Sequence, residues 1–114
     1  MQLGHSTKDR ILIIRPQMER LGTNEVPKFK ENVIQLINES KRHDVVFDLN
    51  QLQYIDSSGV GSLLSLLRLL NARGGELKLA GVTPPIRTAM ELVSLHRIFE
   101  IFKTTDDAVD SFNP

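Results

Sequence analysis

The stretch Tyr54-Ile55-Asp56-Ser57-Ser58-Gly59-Val60-Gly61 holds the residues best placed to do chemistry. Two adjacent hydroxyls follow a carboxylate, and two glycines open the backbone behind them. Hydroxyls at the start of a helix are good phosphoacceptors. A phosphate there meets free N–H groups and the positive end of the helix dipole. It would also add about −1.5 to −2 charges next to Asp56. At a partner surface that charge opposes binding more than it disturbs a fold. A plainer local reading makes Asp56 or Ser57 the N-cap, with Ser58 and Gly59 in the first turn. Capping and phosphate acceptance do not exclude one another.

Other reaction chemistries lack their residues. There is no Gly-rich loop ending in Lys-Ser or Lys-Thr, and no dinucleotide fingerprint. The Gly-x-Ser-x-Gly elbow is missing, because Ile55 and Asp56 precede Ser57. A small enzyme using Ser57 as nucleophile would need a base, and no histidine or lysine has a claim to that role. His5, His43 and His96 are scattered and share no metal-ligand spacing, so they read as surface histidines. With no cysteine, disulfides, thiol catalysis and cysteine zinc sites are excluded, and a reducing cytosol is compatible.

The elements that must position this segment alternate between strand and helix. Residues 2–7 and 10–15 predict a hairpin around Lys8-Asp9, its second arm rich in β-branched residues and ended by Pro16. Residues 17–24 read as a loop. Residues 25–40 predict an amphipathic helix, with Val26, Phe29, Val33, Leu36 and Ile37 inside and Pro27 in the first turn. Asp44 to Leu49 is a short strand whose near-continuous apolar run suits burial on both faces. Asn50 to Ile55 form a connection into the serine segment. A helix over about 58–73 follows, closed by Gly74-Gly75. Glu76 to Ala80 predicts the next strand. Thr83 caps a third helix with Ile86, Ala89, Met90 and Val93 inward. Ile98 to Phe102 predicts a last strand, and Thr105-Asp106-Asp107 caps a short C-terminal helix. This β-β-α-β-α-β-α-β-α order implies right-handed crossovers and a mixed, mostly parallel α/β sheet.

On a helical wheel starting at Ser57, Val60, Leu63, Leu66, Leu67 and Leu70 form a core arc. Ser57, Ser58, Gly61, Ser62, Ser65, Arg68 and Ala72 fill the opposite arc, with Leu64 at its edge and Leu69 within it. That smooth arc is either a solvated face or a face on which small side chains let a protein partner approach.

Composition bounds the partners. The 114 residues predict one domain, residues 1–114, large enough for one core without a staple. Fourteen basic residues balance fourteen acidic ones. A net charge of zero argues against nucleic acid and against a polybasic membrane anchor. The first residues have neither a basic nor an apolar signal region, and residues 60–70 are too short and polar to span a bilayer. No cofactor is expected.

The chain resembles a STAS domain, specifically the bacterial anti-sigma factor antagonists. The resemblance rests on Val45-Val46-Phe47-Asp48-Leu49, on Asp56-Ser57-Ser58-Gly59-Val60-Gly61, on Gly74-Gly75-Glu76-Leu77 and on the apolar positions of 98–102. It covers about residues 5–112. It implies a central sheet of about five strands with about four helices. It also implies that Ser57 is phosphorylated by an anti-sigma factor with serine kinase activity, and that a PP2C-type phosphatase reverses this. The unphosphorylated protein would bind that kinase and release a sigma factor, in the cytoplasm, as a monomer or weak dimer and not as an enzyme. The alternative is a constitutive STAS scaffold or accessory subunit in a stress-signalling or transporter assembly. The expected contact residues are Arg20, Gly22, Thr23, Asn24, Asp56, Ser57, Ser58, Gly59, Gly61, Ser62, Ser65, Arg68 and Leu69. Family members often carry Gly-x-Leu-Asp after the first long strand. Here the matching stretch is Glu19-Arg20-Leu21-Gly22, with glycine at the aspartate position.

Overall fold

The structure, a computed structural model, describes residues 2–112. A hairpin of β1 (Leu3–Lys8) and β2 (Ile11–Pro16) opens the chain, followed by β3 (Arg20–Leu21) and α1 (Val26–Ser40). Then come β4 (Asp44–Asp48), β5 (Tyr54–Ile55), α2 (Ser57–Ala72) and β6 (Leu77–Ala80). The last elements are α3 (Pro84–Leu92), a 3-10 turn (Leu95–Arg97), β7 (Ile101–Phe102) and α4 (Thr105–Asp110). The main sheet has the order β1-β2-β4-β6-β7. Only β1 and β2 run antiparallel; every other neighbouring pair is parallel. This is the mixed, mostly parallel α/β sheet with four helices that the resemblance implies.

Alternation along the strands divides the core. Leu12, Ile14, Val45, Phe47, Leu77 and Leu79 point to one face, where α1, α2 and α3 supply Phe29, Val33, Ile37, Leu63, Leu66, Ile86 and Met90. Ile11, Ile13, Val46 and Ala80 point to the other, against Ala108, Val109 and Phe112 around α4. Successive strand residues alternate faces, so two covered faces demand a continuous apolar run. The Phe29 and Phe47 rings meet at 5.9 Å between centroids, within the range of favourable aromatic pairs. Among the described residues no helix is long and apolar enough to cross a membrane.

The structure corrects several expectations. Residues 17–24 and 50–55 are not wholly irregular: β3 and β5 pair in a separate two-stranded sheet. Two-residue strands carry no periodicity by which to recognise them. The last strand shrinks to Ile101–Phe102, because the 3-10 turn after left-handed Ser94 leaves Ile98 exposed and turns Phe99 into the core. Val93 caps α3 and is exposed rather than inward. Thr83 is the N-cap residue of α3, but its hydroxyl donates to Leu52 O at 2.6 Å and caps no amide. Thr104, not Thr105, caps α4, accepting from Asp107 N at 3.1 Å. In α2, Val60 and Leu67 are only half-buried at the core margin.

Among the described residues one charged side chain sits inside. Lys78 is 4% exposed on the α4 side of the sheet. Its ammonium donates to Ser111 Oγ at 2.8 Å and lies 4.2 Å from the centre of the Phe112 ring. Glu100 stands 3.8 Å away. A desolvated cation against an aromatic face is attracted to it, so Lys78 anchors the C-terminal helix. Lys78→Ala is expected to destabilise the protein by about 2–3 kcal/mol through lost packing and cation–ring attraction. Hydrogen exchange would then rise first in the α4 amides, while uniform exchange across the sheet would contradict the anchor.

Candidate functional site

The small β3–β5 sheet brings the site together. Arg20 pairs with Tyr54 and Leu21 with Ile55. The Gln53 and Tyr54 amides both donate to Glu19 O, at 2.8 and 3.0 Å. These contacts set residues 20–24 beside the start of α2. The Arg20 guanidinium lies 4.0 Å over the Tyr54 ring, fixing both exposed side chains on one rim.

Asp56 is the N-cap of α2, with extended backbone. Its Oδ1 accepts from Gly59 N at 3.0 Å. Its Oδ2 accepts from Thr23 N at 3.0 Å and from Thr23 Oγ1 at 3.3 Å. Thr23 Oγ1 also lies 3.1 Å from Ser58 Oγ. The Thr23 hydroxyl has a single proton, which points to the carboxylate in a donated hydrogen bond, so Ser58 is the donor to Thr23. One carboxylate thus caps the helix and clasps the loop. The Gly59 amide first, and the Thr23 amide second, hold the Asp56 carboxyl below its ordinary value.

Ser57 is the first residue of α2 and is exposed. Among the described residues its hydroxyl has no hydrogen-bond partner, whereas the Ser58 and Thr23 hydroxyls are bonded. The residue most open to an incoming group is therefore Ser57.

Two glycines make the clasp possible. A Cβ on Gly59 would collide with the Leu21 carbonyl oxygen and stand 2.6 Å from Ile55 Cγ1. A Cβ on Gly22 would stand 2.8 Å from Asp56 Oδ2 and 3.3 Å from Glu25 Oε1. Glu25 itself accepts from Gly22 N at 2.9 Å. Any side chain at 22 must displace the Asp56 carboxylate, and an acidic one would also repel it. In this chain, glycine at 22 leaves that space to the Asp56 carboxylate.

The expected contact residues therefore do not share one surface. Arg20, Thr23, Asn24, Ser57, Gly61 and Arg68 are exposed, and Asp56, Ser58 and Ser65 are half-buried. Gly22, Gly59 and Ser62 are buried, so they shape the site from behind and do not line it. The helical wheel puts Ser62 on the polar arc, but its hydroxyl turns inward and donates to Gly59 O at 2.7 Å. Ser65 accepts from Lys30 Nζ at 2.9 Å, tying α2 to α1. Leu69 is half-buried and packs against the core margin. Glu25 and Lys30 belong to the site's framework and went unnoticed in the sequence, while Tyr54, which opens the serine segment, joins the framework through Arg20. Glu25 had a signal, since a Glu three residues after a turn residue can reach back to its amide.

Two outcomes test this geometry. Gly59→Ala is expected to cost roughly 2–4 kcal/mol by forcing β3 away from α2. Gly61→Ala, with nothing within 4 Å of its Cβ, is expected to stabilise the helix by about 1 kcal/mol. Thermal melts of both variants decide this. Asp56 has its folded pKa below its unfolded value. Its contribution is present above the unfolded value, about pH 3.9, and is lost as pH falls through the lower folded one. Asp56→Asn still caps the helix. Its unfolding free energy is therefore expected to fall less steeply than that of the unmodified protein below about pH 4.

Comparison with known proteins follows from this fold and site. The family model for the STAS domain matches residues 5–108. The Anti-sigma F factor antagonist of Paenibacillus polymyxa is 28% identical over 108 residues, covering 95% of this chain and 77% of that protein. The unphosphorylated form of the anti-sigma factor antagonist SpoIIAA superposes with a TM-score of 0.80 at 22% identity, covering 97% of this chain and 96% of that one. The phosphorylated form of the Bacillus SpoIIAA superposes with a TM-score of 0.72 at 22% identity, covering 98% of this chain and all of that one. Part of a murine anion transporter, Slc26a9, has the same fold, with a TM-score of 0.80 at 16% identity over 91% of this chain and 18% of the transporter. With a family match across nearly the whole sequence and the fold of its solved members, the chain belongs to the STAS domain family.

Proposed function

We propose that this chain is an anti-sigma factor antagonist whose partner binding is switched by phosphorylation of Ser57. The observation that carries the reading is the contrast among the hydroxyls. Those of Ser58 and Thr23 are engaged around Asp56, while that of Ser57 is exposed and unbonded among the described residues. The antagonist names of the relatives support it, as does a neighbour of the same fold solved in unphosphorylated and phosphorylated forms.

In this reading the partner is an anti-sigma factor with serine kinase activity. The γ-phosphoryl of ATP passes to Ser57 Oγ, ADP leaves, and the hydroxyl proton goes to a base of the kinase. Because ATP is the donor, the exchange takes place in the cytoplasm. Water then hydrolyses the ester on a PP2C-type phosphatase, restoring the hydroxyl and releasing phosphate. The chain itself is substrate and binding module, not enzyme.

Phosphorylation works through local charge. About −1.5 to −2 charges arrive beside an Asp56 that is already ionised. The Asp56 cap on Gly59 N stays in place and the phosphate adds its charge outside it, so the helix need not unwind. The rim of Arg20, Thr23, Asn24, Tyr54 and Gly61 keeps its shape but changes its potential. Binding lost by 3 kcal/mol weakens affinity roughly a hundredfold.

Calorimetry with the cognate kinase tests this. Ser57→Ala should bind as tightly as the unmodified protein, and Ser57→Asp about a hundredfold more weakly. Equal binding by both variants would contradict the switch and favour a constitutive scaffold of the kind a transporter-linked STAS domain suggests.

A further inference from the structure

The end of the molecule away from Ser57 carries a concentration of positive charge that the proposed switch does not use. A concavity of about 230 Å³ is lined by Arg10, Lys41, Arg42, His43 and Arg73, with Asp44 as its one carboxylate. The chain as a whole has no net charge, so four permanent cations against one carboxylate is a local excess. It lies where α1 and α2 end, about 24 Å along α2 from Ser57 at 1.5 Å per residue over 16 residues.

The carboxylate is already committed. Asp44 Oδ2 accepts from Arg10 Nε at 3.1 Å and Oδ1 from Glu76 N at 3.1 Å. Donors, by contrast, are in surplus. Arg10 also donates to Phe112 O at 3.1 Å. Arg42 donates from Nε to Asp9 O and from Nη1 to Ser40 O, both at 3.2 Å. Arg73 donates to Asn38 Oδ1 at 2.8 Å. A guanidinium has five N–H groups and an ammonium three. Each arginine therefore keeps donors without acceptors among the described residues, as does Lys41. The protein bonds that these arginines make leave them held in place. Cations at helix C-termini offset the dipole, which accounts for Lys41 and Arg73 but not for Arg10 and Arg42 joining them around one hollow.

We propose that this basin binds a small oligophosphate anion. Guanidinium forks match phosphate oxygens in pairs. The hollow is compact, and its remaining lining, Gly74 and Gly75, adds no bulk and no apolar wall. An acidic peptide would need a longer track, and a nucleic acid a longer basic stripe. Recognition rests on the phosphate chain, whether free or as the tail of a nucleotide.

The test is a titration of the intact protein with sodium tripolyphosphate at low salt, followed by amide NMR and calorimetry, with ATP and a glutamate-rich peptide as parallel arms. Saturable shifts are expected at residues 41–44 and 73–75, with ATP and tripolyphosphate binding alike and both weakening as salt rises. Lys41→Gln combined with Arg73→Gln should weaken binding roughly tenfold or more, since two charge-assisted contacts go. Both side chains are exposed, and circular dichroism checks folding. Should the pair unfold, Arg73→Gln alone should still weaken binding roughly threefold. Lys103→Gln, beyond β7, should change nothing. The proposal is overturned by an absence of saturable binding, by variants that bind as before, or by shifts centred on residues 56–59. It is overturned as well if the peptide saturates the same amides more tightly than tripolyphosphate.

Discussion

The Asp56 carboxylate is the contact on which the candidate site depends. It joins two segments 33 residues apart, capping α2 through Gly59 and holding the loop through Thr23. Both oxygens are engaged by protein donors, which favours the ionised form. Without it the first turn of α2 would lose its cap and the loop its anchor. The clasp also sorts the hydroxyls. Ser58 is drawn inward to Thr23, and Ser57, one residue earlier on the helix, is left facing out. A difference of one position on a helix turns a side chain through about 100°, which separates a structural serine from an available one.

This arrangement demands close packing around the carboxylate. Gly59 lets the Leu21 carbonyl approach α2, and Gly22 leaves room for the carboxylate itself. Glu25 satisfies the Gly22 amide from the loop side. In this chain a side chain at 22 would press on the space that the Asp56 carboxylate fills. Behind them the sheet fixes the distance between loop and helix, because β2, β4 and β6 are buried on both faces and a one-residue slip would swap the apolar sets that fit the two layers.

Much of the fold was legible because its signals are local. The helical spacing of Phe29, Val33 and Ile37 and the apolar run Val45-Val46-Phe47 each specify one element, and the helix and the strand they imply are both present. The serine segment was legible by its type and by where it stands, between a buried strand and a helix. What the sequence concealed arises from contacts between distant residues. The β3–β5 pairing has two residues per strand, too few for a period. The inward turn of Ser62 was hidden because a wheel centred on polarity places a small hydroxyl outside. In the fold its own helix carbonyl satisfies it, so it can be buried at little cost. The division of roles between Ser57 and Ser58 depends on Thr23, 35 residues before Ser58, and no spacing rule links them.

The central claim is that Ser57, not its neighbours, is the residue left free to be modified. Phosphosite mapping by tandem mass spectrometry of the protein purified from its own host, with and without phosphatase treatment, tests it most directly. Phosphate on Ser57 that disappears with phosphatase is the expected result. Phosphate on Ser58 or Thr23 with Ser57 unmodified, or none under any growth condition, would contradict the account.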